Sequence, residues 1–202
     1  MGLISNGTTL LDAGALDSGI ATGGMKLLST LTASSSATLD FTSGLTSTYD
    51  HYIFKFINIH PASESLFSFQ VDTGTNTSYN QDITSTLFRA YHAEADNEAL
   101  FGYRTANDQA QGTGFQNLAY YNGVDNDSGC GGKLTIFSPA STALTKHFIS
   151  RVTSMRGSST AAVDNFAAGY INTTTAITRV RFKMDSGNID SGTIKMYGVY
   201  SG

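Results

Sequence analysis

The chain is short of charge. Asp, Glu, Lys and Arg make up 14% of its residues, against about 25% in an ordinary soluble domain. It is also short of proline, with 2 in 202 residues, and of cysteine, with one, Cys130. Each shortage excludes something. A single cysteine excludes an internal disulfide. Twelve scattered Lys and Arg within a net charge of -4 exclude the clustered cationic surface that releases counterions from nucleic-acid phosphates. The longest apolar stretch, around Phe54, is broken by Lys55 and is far too short to span a bilayer. The opening "MGLISNGTTLLDAG" has neither the basic start nor the apolar core of a secretory leader. The expectation is a chain made in the cytoplasm, without membrane insertion and independent of oxidation.

What is present favours strands. Glycine is frequent, Ser and Thr abound, and Tyr, Phe, Ile and Val recur in short runs, the residues that pack well on a pleated surface. Ten such runs alternate with turn signals from residue 25 onward: "MKLLSTLTA", "ATLDFTS", "HYIFKFINI", "LFSFQVD", "TLFRAYHA", "GKLTIFS", "HFISRVTSM", "NFAAGYIN", "ITRVRFKM" and "GTIKMYGVY". That spacing predicts an all-β fold, an antiparallel jelly-roll-like β-sandwich. Period-two alternation puts Thr178, Val180, Phe182 and Met184 on one face, with Ile177, Arg179, Arg181 and Lys183 on the other. "DSGNIDSG" between the last two strands reads as a hairpin-type connection.

Two regions depart from this plan. Residues 1–25 contain six glycines and no aromatic residue, too little to bury for independent folding. Leu3, Ile4, Leu10, Leu11, Leu16 and Ile20 would be odd residues to leave in water, so the segment is expected to be an extended N-terminal arm docking on a partner. The domain proper is then 26–202. Within it, residues 93–130 carry weak strand signal and read as a loop-rich insertion of the kind that carries recognition. Glu94 and Glu98 stand at helical spacing, which leaves room for one short helix over 92–101, though like charges at that spacing argue against it.

Sites of chemistry are hard to find in this sequence. His51 and His60 share the most apolar stretch, but nine positions apart they face opposite sides of a continuous strand. They would also lie near its two ends, roughly 30 Å apart at about 3.3 Å per residue. His92 and His147 are isolated. All four read as structural or surface histidines. Cys130 sits in the glycine cluster "SGCGG" with no histidine nearby and reads as a loop or sheet-edge cysteine. "VDNDSG" at 124–129 breaks the EF-hand pattern and reads as a polar turn. No nucleophile elbow and no phosphate-binding glycine loop is present. No catalytic, cofactor-binding or metal residue is assigned, and no cofactor is expected. Tyr79, Tyr91, Tyr103, Tyr120 and Tyr121 with Phe101 and Phe115 gather in the middle of the chain among Asn, Gln and Ser. Such a mixture suits recognition of proteins or sugars and equally suits core aromatics of unrecognised strands. Tyr103, Phe115, Tyr120 and Tyr121 are the candidate receptor-facing residues.

"ISNGTTLLDAG", "LLSTLTASSSATLDFTSGLTSTYDHYIFKFINIHPAS" and "GNIDSGTIKMYGV", about 60 residues together, resemble small virion structural proteins of marine tailed phages. The resemblance implies a non-enzymatic virion component, tail-fibre-like or otherwise surface-exposed. Read with the sequence, it leads to a tail fibre or spike protein, assembled in the host cytoplasm. Such a protein would dock on other virion proteins through its arm, form a homotrimer, and meet a host surface glycan or protein. The alternative is a capsid decoration or cement protein that stabilises the head. A depolymerase comes third, because the chain lacks the repeats of a solenoid.

Overall fold

A computed structural model describes residues 3–5, 7–12, 15–16, 24–158 and 160–200. All of its regular structure is strand. The ten runs picked out by turn spacing are strands: β4 (Met25–Ser36), β5 (Leu39–Phe41), β6 (His51–Pro61), β7 (Ser65–Thr73), β8 (Ile83–Ala93), β11 (Cys130–Phe137), β12 (Lys146–Arg156), β13 (Ala161–Ile171), β14 (Ile177–Met184) and β15 (Ile189–Val199). Residues 93–130 hold two more, β9 (Ala99–Tyr103) and β10 (Gln116–Asn122). The stretch 92–101 is the end of β8, a turn and the start of β9, with no helix. Among the described residues no helix is long and apolar enough to cross a membrane.

The twelve strands from β4 onward form one antiparallel sheet that closes nearly into a barrel, in the order β4-β15-β6-β11-β12-β10-β7-β14-β5. The ends of this path are consecutive in the chain, since β5 follows β4 after two residues. β13, β8 and β9 branch outward from β12. β12 reaches β10 through one ladder pair, Arg156 with Asn122.

Alternation builds the core. On β12, Phe148, Ser150, Val152 and Ser154 are buried while His147, Ile149, Arg151 and Thr153 are exposed. Inward positions from the whole path meet at Phe182, whose ring lies 5.3–6.5 Å from those of Phe41, Phe54, Phe56, Phe67 and Phe69.

Several sequence expectations change here. A register shift on β14 between Ile177 and Arg179 against β7 turns Ile177 inward, where it is fully buried, away from Arg179, Arg181 and Lys183. A bulge on β6 exposes both Ile57 and Asn58. Asn58 takes a left-handed φ of 49°, and the opposing Gly192 has no side chain because a Cβ there would stand 2.5 Å from Asn58 O. The extra residue reverses parity, so His51 and His60 share the outer, half-buried face of β6 rather than opposite faces. "DSGNIDSG" is not a hairpin: β14 pairs with β5 and β7, while β15 pairs with β4 and β6, so the segment crosses between separate parts of the sheet. Cys130 is neither in a loop nor at a sheet edge: with Gly131 and Gly132 it opens β11, in register with Ser154, Thr153 and Val152 on one side, and it faces Ile59 of β6 on the other.

At the N-terminus, β1 (Leu3–Ser5), β2 (Thr8–Asp12) and β3 (Ala15–Leu16) make a separate three-stranded antiparallel sheet. Leu3 and Ile4 lie in β1, Leu10 and Leu11 in β2, and Leu16 in β3. Ile4 is 62% exposed. Ile20 lies outside the described residues.

Candidate functional site: a groove across the outer sheet face

β7 is buried on both faces. Phe67, Phe69 and Val71 point into the core, and Ser68, Gln70 and Asp72 on the other side are buried as well. Loops cover them and supply hydrogen bonds. Gln70 Nε2 donates to Gln81 O, Thr113 O and Gly114 O. Asp72 accepts from the backbone N–H groups of Thr73 and Tyr79 at 2.9 and 2.8 Å, and from Gln81 Nε2. Gln116, at the start of β10, accepts from Ser85 Oγ and donates to Asn107 O and Asn117 O. The 104–116 segment is thus pinned to the sheet by buried polar groups.

The outer face of β8, β13, β12 and β11 has no such cover. Two adjoining hollows of about 540 and 740 Å³ run across it. Together they pass from Ala90 and His92 on β8 over Ala162, Thr153 and Gly131 to His60 on β6 and Ser191 on β15. The groove is low where Ala90, Ala162, Thr153 and Gly131 stand outward, because these positions carry only hydrogen, methyl or hydroxyl groups. It crosses six strands, roughly 24 Å at about 4.8 Å per strand spacing.

The groove walls are polar at one side and aromatic at one end. Arg151 Nε donates to both Asp164 oxygens at 3.1 Å, and Nη2 donates to Oδ2 at 2.6 Å. The carboxylate raises the Arg151 pKa, so this cation stays charged and held flat. Its Cζ lies 4.9 Å from the centre of the Phe166 ring. Phe166 stacks on Phe88 at 4.8 Å, and Phe88 meets Phe101 edge-on at 5.6 Å. His92 Nε2 is 3.0 Å from Asp96 Oδ1. At the far end His60 Nε2 lies 3.1 Å from Asp125 O, which ties the 124–129 turn to β6, and Asn126 and Asp127 of that turn line the groove.

No family model, no curated protein and no solved structure matches the chain. Among the described residues no three of His, Cys, Asp and Glu gather as metal ligands. Cys130 borders the groove but points inward, and burial raises its thiol pKa to about 12, so it stays protonated and poorly nucleophilic. What the groove can do is hydrogen-bond and stack.

The candidate aromatics are dispersed. Tyr103, 51% exposed, pairs with Phe88 across the β8–β9 ladder, beside the aromatic end of the groove. Its hydroxyl donates to Asp108, which raises the tyrosine pKa. Tyr120 and Tyr121 have ring centres 4.3 Å apart on β10. The Tyr120 face is occupied by the guanidinium of buried Arg89, 3.2 Å from the ring centre. Next to it, Tyr91 and Arg156 share Glu98 at 2.7 and 2.6 Å. These bonds hold the Glu98 carboxyl below the usual range, with the Tyr91 hydrogen bond contributing most. Phe115 lies under Lys183, 4.9 Å from its Nζ. Sequence reasoning missed the residues that form the groove, Gly131, Arg151, Thr153, Ala162 and Asp164. They become neighbours only through the registers of β11, β12 and β13, and each looks ordinary in its own strand.

Proposed function

We propose that the chain is a non-enzymatic virion structural protein of tailed-phage type. In this reading it is a tail-fibre or spike component that docks through its N-terminal segment and presents the β-domain for host attachment. The observation that carries the reading is β9. Its five residues, "ALFGY", are uncharged and stand at the edge of the sheet, with Phe101 73% exposed and Leu100 and Tyr103 exposed beside it. Proteins that work alone blunt such edges with charge, proline or a covering loop. An apolar edge left open fits assembly into a closed homotrimer or contact with a large partner. Within this reading the barrel-like sheet is a jelly-roll-like sandwich. β5, β14, β7 and β10 form one layer, β4, β15, β6, β11, β12, β13, β8 and β9 form the other, and the Asn122 and Arg156 pair joins them.

A second reading, capsid decoration, is favoured by the other edge. β4 runs 12 residues and leaves Met25 and Leu27 exposed, a flank that could lie along neighbouring capsid subunits. Antibody-gold labelling of purified particles, with antibody raised against residues 93–130, separates the two. Label at the tail is the expected result. Label over the head would favour decoration, and particles without label would overturn the virion reading. Deleting residues 1–25 is expected to leave the β-domain folded and to abolish its incorporation into particles; incorporation at the normal level would remove the docking role from that segment.

A further inference from the structure

We propose that the groove across β8, β13, β12 and β11 binds an uncharged oligosaccharide. The inference deepens the attachment reading and rests on it for its biological sense.

The groove crosses the middle of the sheet. There every strand from β11 to β8 is paired on both sides, so its backbone N–H and C=O groups are already used. A peptide cannot add as a strand at such a place, because strand addition needs a free edge. A ligand must find its hydrogen bonds in side chains. Arg151 and Asp164 offer donors and acceptors side by side in a rigid plane, and Thr153, His92 and Asp127 extend the set along the groove. A chain of hydroxyl groups, each both donor and acceptor, fits that alternation.

Charge narrows the class. Arg151 is neutralised by Asp164, and Glu94 and Asp127 also line the groove. The row beside the groove carries Lys133, Lys55 and Lys195, but the residues that line it include no Lys or Arg other than the paired Arg151 to receive a phosphate, sulfate or uronate. The small floor at Gly131, Thr153 and Ala162 admits flat rings close to the sheet. Phe101, 73% exposed and opposite Ala90 on the β8–β9 ladder, stands beside one end with apolar surface for the C–H face of a sugar.

The test uses the full chain on a printed array of neutral, uronic and sulfated oligosaccharides, beside Gly131→Trp and Ala162→Trp. Gly131 has an ordinary φ, and a Cβ there meets nothing nearer than Phe56 O at 3.6 Å. Ala162 is exposed. Both variants should therefore melt like the parent while filling the groove. The expected result is binding to neutral oligosaccharides that falls by about tenfold or more in both variants, ~1.4 kcal/mol. On the unaltered chain, amide shifts at Gly131, Thr153 and Ala162 should follow addition of a bound sugar. No binding, binding to anionic sugars alone, or binding that moves none of these amides would overturn the proposal. The outcomes separate cleanly from those of particle labelling. Label on the head with groove-dependent sugar binding would sink attachment alone, and label at the tail without sugar binding would sink only the groove.

Discussion

The outer face of β7 and the outer face of β11 to β13 are chemically alike in sequence and opposite in structure. Both present small or polar residues at alternate positions: Ser68, Gln70 and Asp72 on one, Gly131, Thr153, Ala162 and Asp164 on the other. The first is sealed by the 74–82 and 104–116 segments, where Gln70 and Asp72 find partners, while Ser68 donates to Lys183 O on β14. The second is open. Burying Gln70 and Asp72 is affordable only because three donors converge on Asp72 and three carbonyls on Gln70. Nothing comparable converges on Thr153 or Ala162. A polar face with its partners supplied is interior, and one without them remains a surface that can take a ligand.

The comparison can be broken in order of effect. Phe182→Ala removes the ring around which five others pack and should cost about 3–5 kcal/mol, measured by denaturant unfolding. It sets the scale for a fully interior site. On the sealed face, Asp72→Ala leaves two backbone N–H groups and the Gln81 amide without their acceptor and should cost about 3 kcal/mol. Asp72→Asn should recover part of this. A cost near zero would mean that the loops do not seal that face.

Cys130 and Gly131 set interior and groove side by side. With its thiol pKa raised to about 12, Cys130 should resist thiol reagents in the native chain and react on unfolding. The sign of its pH effect follows. The unfolded thiol ionises near ~8.5 and the folded one does not, so the stabilisation is complete below that pH. It declines as pH rises toward 12, at about 1.4 kcal/mol per pH unit. Cys130→Ala should remove that slope between about pH 8.5 and 10, below the range where Tyr49, itself raised to about 12, adds its own; rapid labelling of the native chain would contradict the burial.

Smaller effects lie at the margin. Asp40 and Arg181 make a bidentate pair with side chains about a quarter exposed, worth about 1 kcal/mol in a double-mutant cycle. Gly131→Trp, on the open face, should change stability by less than about 0.5 kcal/mol. A loss as large as that of Asp72→Ala would show the groove floor to be interior after all.

The strands legible in the sequence were those whose alternation was apolar against polar. β9 and β10 were not legible, for different reasons. β10 buries Gln116 and Asn122, so its inward residues look like loop residues until Ser85, Asn107 and Ser65 are brought against them. β9 is exposed on nearly every side and shows no alternation to detect. The bulges at Asn58 and before Arg179 shifted His60 and Ile177 without leaving a local signal. Of the candidate aromatics, Tyr103 stands near the groove, while Tyr120 is engaged by Arg89, a partner 31 positions away in the chain. The groove was invisible because it consists of what small residues leave empty.

By itself, the sequence determined an all-β chain with one thiol, low charge and a distinct first 25 residues, because composition and period-two patterning act locally along each strand. The tertiary structure alone decided which faces are sealed, where parity reverses, and that Gly131, Thr153 and Ala162 share one floor with Arg151 and Asp164 beside it. Those depend on register between strands far apart in the chain, and register is set by the packing of the whole core around Phe182.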